Sequence, residues 1–385
     1  MPLRILHTAD WQIGKPFASV PDLAKRARLQ QERIEAIRRV ADIARERSCD
    51  LVLVAGDLFD SPTPTKAHVS AMFQQIGTIG APVIAIPGNH DFGGAGGPWE
   101  QDFVRQEMSD LAPNFTVLTE EKPHILDAVV ILPSPLLHRQ VVHDPTRWIR
   151  NACETLPDDR PRIVLAHGSV QGFSSSGDED AGASTNQLDL EALPASDIDY
   201  IALGDWHGTK QVGPKAWYAG TPEPDRFPKG EGNRPGHVLV VEVARAVAPK
   251  VEEISTGTVL WRQFKWHFDA ESPPGGLRHL FSESLGTGAE GALLDLELTG
   301  HLTIGESVEL RTLLDTWEAR LIRLKLRDHV LETPSDEEIR MLTKRAADPV
   351  ITRVACRLLE EATGEDEPAA VARIALRELY QAAAS

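Results

Sequence analysis

An α/β sandwich, with layered sheets inside and helices outside, is the fold class this sequence predicts. Three observations point to it. Short apolar runs of strand length recur along the first two thirds of the chain. Helical periodicity separates the early ones, which is how layered α/β folds read. A second alternation of helix and strand follows a Pro/Gly-rich stretch, so a smaller α+β domain is expected behind the first. With 385 residues the chain exceeds what one core usually serves.

Taken in order, "LRILHTAD" reads as a strand. Residues 22–47 read as an amphipathic helix with Leu29, Ile34, Ile37, Val40, Ile43 and Ala44 roughly on one face. "DLVLVAGDLFD" is a buried strand ending in a polar loop, residues 65–79 a helix, and "APVIAIPGNHD" another strand. "FTVLT", "AVVILP", "RIVLAHG" and "YIALGDWHG" continue the series. Residues 173–188 are small, polar and acidic, which predicts a mobile surface loop. Strands recur at "HVLVVEV" and in "VEEISTGTVLWRQFKWHF", and "AESPPGG" reads as a linker. The first domain is therefore expected over 1–267. A capping unit is expected over 268–333, as helix 277–285, strand 291–299, helix 305–322 and strand 323–331. A helical tail over 334–385 completes the chain. In it, Ser335 followed by Glu338 predicts a capping box, and Pro349 should break the first helical stretch.

Composition excludes several classes. Hydrophobic content of 42% and charged content of 25% are ordinary for a globular protein. No apolar run approaches the ~20 residues of a membrane span. "MPLRILHTAD" has neither a basic start nor a long apolar stretch. Cys49, Cys153 and Cys356 are far apart and show no paired spacing, so a reducing cytoplasm without disulfides is expected. A net charge of −17 counts against nucleic-acid binding through the overall field. It counts less against a metal-dependent nuclease, whose ligands are themselves acidic.

Chemistry collects where strands end. Asp10 and Gln12 follow the first strand, and Asp57 and Asp60 the second. Asn89, His90 and Asp91 follow the third, His167 follows "RIVLA", and Asp205 and His207 follow "YIALG". Loops after strand C-termini are where α/β folds build sites. A lone Asp after a strand is usually a turn residue. Five such endings in sequence are hard to attribute to turns. On an extended chain, Asp205 and His207 would point to one side.

The series "DWQ", "GDLFD", "GNHD", "AHG", "GDWH" resembles the motif set of the calcineurin-like metallophosphoesterases. The opening "LHTADWQIGK" and the stretch "YAGTPEPDRF" are similar to the nuclease branch of that family, typified by bacterial SbcD. The resemblance covers roughly residues 1–245. It implies a four-layer α/β/β/α catalytic domain and a site for two Mn²⁺ ions, with Mg²⁺ as the substitute. Asp57 would bridge the ions. Asp10, Gln12 and His207 would complete one, and Asn89, His167 and Asp205 the other. His90 would act on the phosphate, with Asp60 orienting it. The implied activity is exo- or endonucleolytic cleavage of DNA in repair. The implied partners are DNA, a second copy of the chain and an SbcC-like coiled-coil ATPase, with no membrane involved. Gln12 and Asp205 stand where the family carries histidine. Oxygen for nitrogen makes a harder site, which favours Mn²⁺ or Mg²⁺ over zinc, unless the site is a degenerate one. A phosphodiesterase for small phosphoesters and a non-catalytic scaffold subunit remain the alternatives. The basic stretches "KRARLQQERIEAIRR" and "RLIRLKLR" suit either a phosphate-binding surface or solvated faces.

Overall fold

A computed structural model describes residues 2–384 except 157–158, 171–184, 229, 231–232, 270, 345–347 and 365. Most of the loop expected at 173–188 lies outside the described residues. The chain divides into two compact units, Met1–Val259 and Leu260–Ser385.

The first unit is built on two six-stranded sheets. Its elements run β1 (Leu3–Thr8), α1 (Leu23–Glu46), β2 (Leu51–Ala55), α2 (Lys66–Ile76), β3 (Val83–Ile86), α3 (Asp102–Leu111) and β4 (Phe115–Val117). They continue through β5 (His124–Ile125), β6 (Val130–Ser134), α4 (Ile149–Ala152), β7 (Arg162–His167), β8 (Ser169–Val170), β9 (Gln187–Leu188) and β10 (Tyr200–Gly204). The last four are β11 (Lys210–Gln211), β12 (Ala216–Tyr218), β13 (His237–Val243) and β14 (Lys250–Ser255). The sheet orders are β14-β13-β1-β2-β3-β4 and β11-β12-β10-β7-β6-β5. β8 and β9 pair separately, so Gln187 and Leu188, expected in a loop, form a short strand.

These runs become strands because both faces are covered. Every residue of β2, LVLVA, is buried, as in a strand central to a parallel sheet. Ile5, Leu53, Ile84 and Leu239 of the first sheet meet Ile131, Ile163, Leu165 and Tyr200 of the second in one core. A second core lies under α1 and α2, joining Ile34, Ile37, Val40, Met72 and Phe73 to Leu6, Val52 and Val54. The far face of the second sheet is closed by Ile149, Cys153 and Leu193. β1, β2 and β3 are mutually parallel, as are β6, β7, β10 and β12. The loops leaving β1, β2 and β3 therefore emerge at one end of their sheet, and those leaving β7 and β10 at one end of theirs.

The second unit begins with β15 (Leu260–Phe268), not after the proline-rich stretch. β15 pairs in parallel with β16 (Ala292–Leu302), which pairs with β17 (Arg323–Glu332). The prolines instead open α5 (Pro274–Leu285), a first-turn position where the missing N–H costs nothing. α6 (Ile304–Arg320) lies between β16 and β17, and both helices bury Leu277, Phe281, Leu313 and Trp317 against Leu294, Leu296 and Leu298. The tail forms α7 (Asp336–Thr343), α8 (Pro349–Glu361) and α9 (Glu367–Ala384). Ser335 and Glu338 make the reciprocal capping box. Glu338 also accepts from Ile304 and Gly305 N–H at 3.2 and 2.6 Å, capping α6 as well. Ile304, Leu342, Ala355 and Leu376 form a small core that ties the tail to this unit.

Candidate metal centre

The strand-end residues come together through five loops of the first unit. Their backbones are unusual. Asp10, Gln12, Asp57 and Asp205 have φ of +53°, +42°, +56° and +102°, the left-handed region that side chains avoid. Such strain persists where the surroundings enforce it, and it concentrates at functional sites. Because Asp205 leaves the extended conformation just after β10, it and His207 do not share one side. Asp205 reaches Ser169 and His167, whereas His207 reaches Asp225 and Gln12.

Three glycines let the loops approach one another. A Cβ on Gly88 would strike Asp57 Oδ1, and one on Gly56 would strike His167 Nδ1. One on Gly204 would strike the Ala55 carbonyl and lie 2.9 Å from His167 Nδ1. Asp91 fastens the second and third loops: its buried carboxylate accepts from Leu58 N–H at 2.9 Å and Gly88 N–H at 2.7 Å. It shapes the turn and offers no free oxygen to a ligand.

Asp10, Asp57 and His167 are buried, with one ligand atom of each lying within 4.8 Å of the others. Among the described residues this is the His/Cys/Asp/Glu group that could hold an ion. His167 Nδ1 lies 2.7 Å from the Ala55 carbonyl, so it carries a proton and donates it. That turns Nε2 toward Asn89 Oδ1 at 2.9 Å, Asp57 Oδ2 at 3.6 Å and Asp205 Oδ1 at 3.9 Å. All four atoms are acceptors, unless the ring takes a second proton. Burial would lower His167, but Asp57, Asp10 and Asp205 outweigh it and raise its pKa to about 9. Burial also pushes the Asp10 carboxyl above the usual carboxylate range, against His207 and His167. Oxygen-rich acceptors around one imidazole, with a backbone carbonyl fixing the tautomer, fit a divalent cation.

The sequence matches the calcineurin-like phosphoesterase family over residues 3–209, more than half of the chain. The chain belongs to that family. It is thereby a metal-dependent phosphoester hydrolase by descent, and the Asp10–Asp57–His167 group is its candidate ion-binding triad. Among solved structures, the Thermus thermophilus protein TT1561 aligns at 13% identity with a TM-score of 0.40, over 66% of this chain and all 100% of its own. A second structure aligns at 12% identity and a TM-score of 0.41, again over 66% and 100%. Neither likeness is strong enough to bear on the site.

The phosphoesterase site differs in detail from what the motifs imply. His90 lies near the triad, its backbone N–H donating to Asp57 Oδ1 at 2.9 Å. Its ring Nδ1, however, donates to the backbone carbonyl of Asp60 at 2.9 Å, not to the carboxylate. Asp60's carboxylate turns instead to Lys15 Nζ, 3.2 Å away. The Gln12 amide oxygen also accepts from Lys15 Nζ, at 2.9 Å, and its nitrogen lies 3.3 Å from His207 Nε2.

Several contributors escaped the sequence reading. Asp225, within "YAGTPEPDRF", accepts from His207 Nδ1 at 3.0 Å and pairs with Lys15 at 3.0 Å. Burial would raise Asp225, but His207, Arg226 and Lys15 hold it well below the usual carboxylate range. Arg33 of α1 is buried and donates to the carbonyls of Asp10, Trp11 and Glu223, joining the first loop to the 221–225 segment. Ser169 Oγ donates to Asp205 Oδ2 at 2.7 Å. Four of the ten cations in the basic stretches are paired with carboxylates. Arg38 pairs with Glu35 and Asp42, Arg39 with Glu32 and Glu223, and Lys325 and Arg327 with Asp295.

Proposed function

We propose that this phosphoesterase is a Mn²⁺-dependent phosphodiester hydrolase acting on DNA, an SbcD-like exo- or endonuclease of DNA repair. The observation that carries the hydrolase reading is the gathering of Asn89 Oδ1, Asp57 Oδ2 and Asp205 Oδ1 around His167 Nε2, beside the Asp10–Asp57–His167 group. The donors are mostly oxygen, which favours Mn²⁺ or Mg²⁺. A bound divalent ion supplies Lewis acidity at a phosphoryl oxygen and lowers the pKa of a bound water. Asp57, Asp205, Asn89 and His167 would hold it. Ser169 and the Ala55 carbonyl keep two of those ligands in place. With Nδ1–H committed to the Asp60 carbonyl, His90 has Nε2 left for the phosphate. In its protonated form it donates there to developing negative charge or to the leaving oxygen.

DNA is favoured by the nuclease-like opening, by "YAGTPEPDRF" and by the presence of a second folded unit. A DNA substrate held by ions and backbone contacts needs no base-reading element. The same lineage suggests a homodimer and an SbcC-like coiled-coil ATPase as partners. Exposed apolar residues on α8 and α9 (Val350, Val354, Val371 and Ile374) are the surface we assign to that partner. A small-phosphodiester substrate is the second reading. It is favoured by the net charge of −17 and by the pairing of Arg38, Arg39 and Arg327 with carboxylates.

The deciding assay gives the purified full chain single-stranded DNA, double-stranded DNA and bis(p-nitrophenyl) phosphate, with Mn²⁺ and then with EDTA. We expect metal-dependent DNA cleavage. Hydrolysis of the small diester alone would favour the second reading, and no hydrolysis of either would leave the scaffold role.

A further inference from the structure

Two of the three residues that would complete a second ion, Gln12 and His207, already have partners within the protein. Gln12 is 1% exposed, so its amide cannot turn to water for partners. Its oxygen accepts from Lys15 Nζ at 2.9 Å, and its nitrogen, 3.3 Å away, donates to His207 Nε2. Arg226 Nη2 also lies 3.3 Å from that same imidazole nitrogen. His207 cannot present its other nitrogen, because Nδ1–H is given to Asp225 at 3.0 Å. The lone pairs a metal would need on Gln12 and His207 are thus both engaged by N–H donors. Turning the amide over would face its NH₂ toward an ammonium, donor against donor.

Lys15 is fixed by more than Gln12. Its ammonium also sits 3.2 Å from Asp60 Oδ1 and 3.0 Å from Asp225 Oδ2, and its side chain is 20% exposed. One cation therefore bridges the two carboxylates that back this half of the site. On the His167 half, the oxygens of Asn89, Asp57 and Asp205 gather around Nε2. The two halves have opposite character: one asks for a cation and the other contains one.

We infer that this chain holds a single divalent ion, at His167, Asn89, Asp57 and Asp205. The second position is closed by Lys15, a positioning residue that locks Gln12 as a hydrogen-bond donor to His207. The inference rests on the divalent-metal reading above and departs from the paired-ion arrangement the motif resemblance implies.

The test counts ions. The full chain is equilibrated with Mn²⁺ alone, dialysed, and measured by elemental analysis and by electron paramagnetic resonance. We expect one Mn²⁺ per chain with an uncoupled signal. The double variant Gln12→His with Lys15→Met should bind two, with the exchange-broadened signal of a close pair. Lys15→Met alone releases the Gln12 oxygen and should raise the count above one at high Mn²⁺. Two ions in the unaltered chain would overturn the inference and leave the hydrolase reading standing. None would overturn both. A double variant that folds yet still binds one ion would show that Lys15 and Gln12 are not what closes the position.

Discussion

Adding one methyl group at Gly88 tests how tightly the loops must meet to form the centre. A Cβ there would strike Asp57 Oδ1 and lie 2.6 Å from Asp57 N and 2.8 Å from Asp57 Cγ. One of these atoms cannot swing aside, because the nitrogen is backbone. Oδ1 is further held by His90 N–H at 2.9 Å. Either the Gly88 loop or Asp57 must move by roughly half an ångström or more, whereas ion–ligand distances tolerate about ±0.2 Å. Overpacking of this kind costs about 1–3 kcal/mol, which corresponds to a ~5–150-fold loss of affinity if it falls on the ion-bound state. Calorimetric titration of the Gly88→Ala variant with Mn²⁺ reads it directly. Gly80→Ala is the control, because a Cβ there meets nothing within 4 Å. If folded Gly88→Ala bound Mn²⁺ as tightly as the Gly80→Ala control, Asp57 would not be a ligand positioned by this contact.

Four further outcomes follow from the same geometry. His90→Ala should lower turnover by ~10²–10³ with Mn²⁺ content unchanged, whereas Asp57→Ala should lose both; equal metal loss in the two variants would remove the distinction. Asp60→Asn should keep most activity, because His90 is held by the Asp60 carbonyl; a loss as deep as that of His90→Ala would give the carboxylate a direct role. Asp205→His should lower the ratio of Mn²⁺- to Zn²⁺-supported activity, since nitrogen replaces oxygen at the centre, and an unchanged ratio would exclude Asp205 as a ligand. His7, buried between Tyr200 OH and the Leu203 carbonyl, has its pKa lowered by burial from 6.5 to about 3. Between those values the unfolded chain takes up a proton that the folded chain refuses. Stability is therefore full above about pH 6.5 and falls by about 1.4 kcal/mol per unit as pH drops toward 3. Urea denaturation of His7→Gln should show a pH slope shallower by one proton, and identical slopes would contradict it.

The sheets were legible because central parallel strands are buried on both faces and read as unbroken apolar runs, as LVLVA and RIVLAH do. The unit boundary was not. β14 and β15 are both half-exposed strands separated only by four residues, and nothing local shows that β15 pairs with β16. The strand-end ligands were legible because a polar group after a buried run must turn, and glycine marks the turn. Their mutual placement was not, since it depends on φ values such as the +102° of Asp205. Lys15 and Asp225 are 210 positions apart (225 − 15) and meet only in the fold. Arg33 carried a signal that could have found it: an arginine at position 33 falls in the buried stripe of α1 between Leu29 and Ile37, where burial demands partners.

Both hydrolase readings of this site require a divalent ion among the groups gathered at His167. Anomalous scattering from crystals of the chain grown with Mn²⁺ tests it most directly. We expect a manganese peak within coordination distance of His167 Nε2, with oxygens of Asp57, Asp205 and Asn89 around it. A folded protein with no peak there, or with manganese bound elsewhere while His167 keeps Asn89 as its partner, would contradict it.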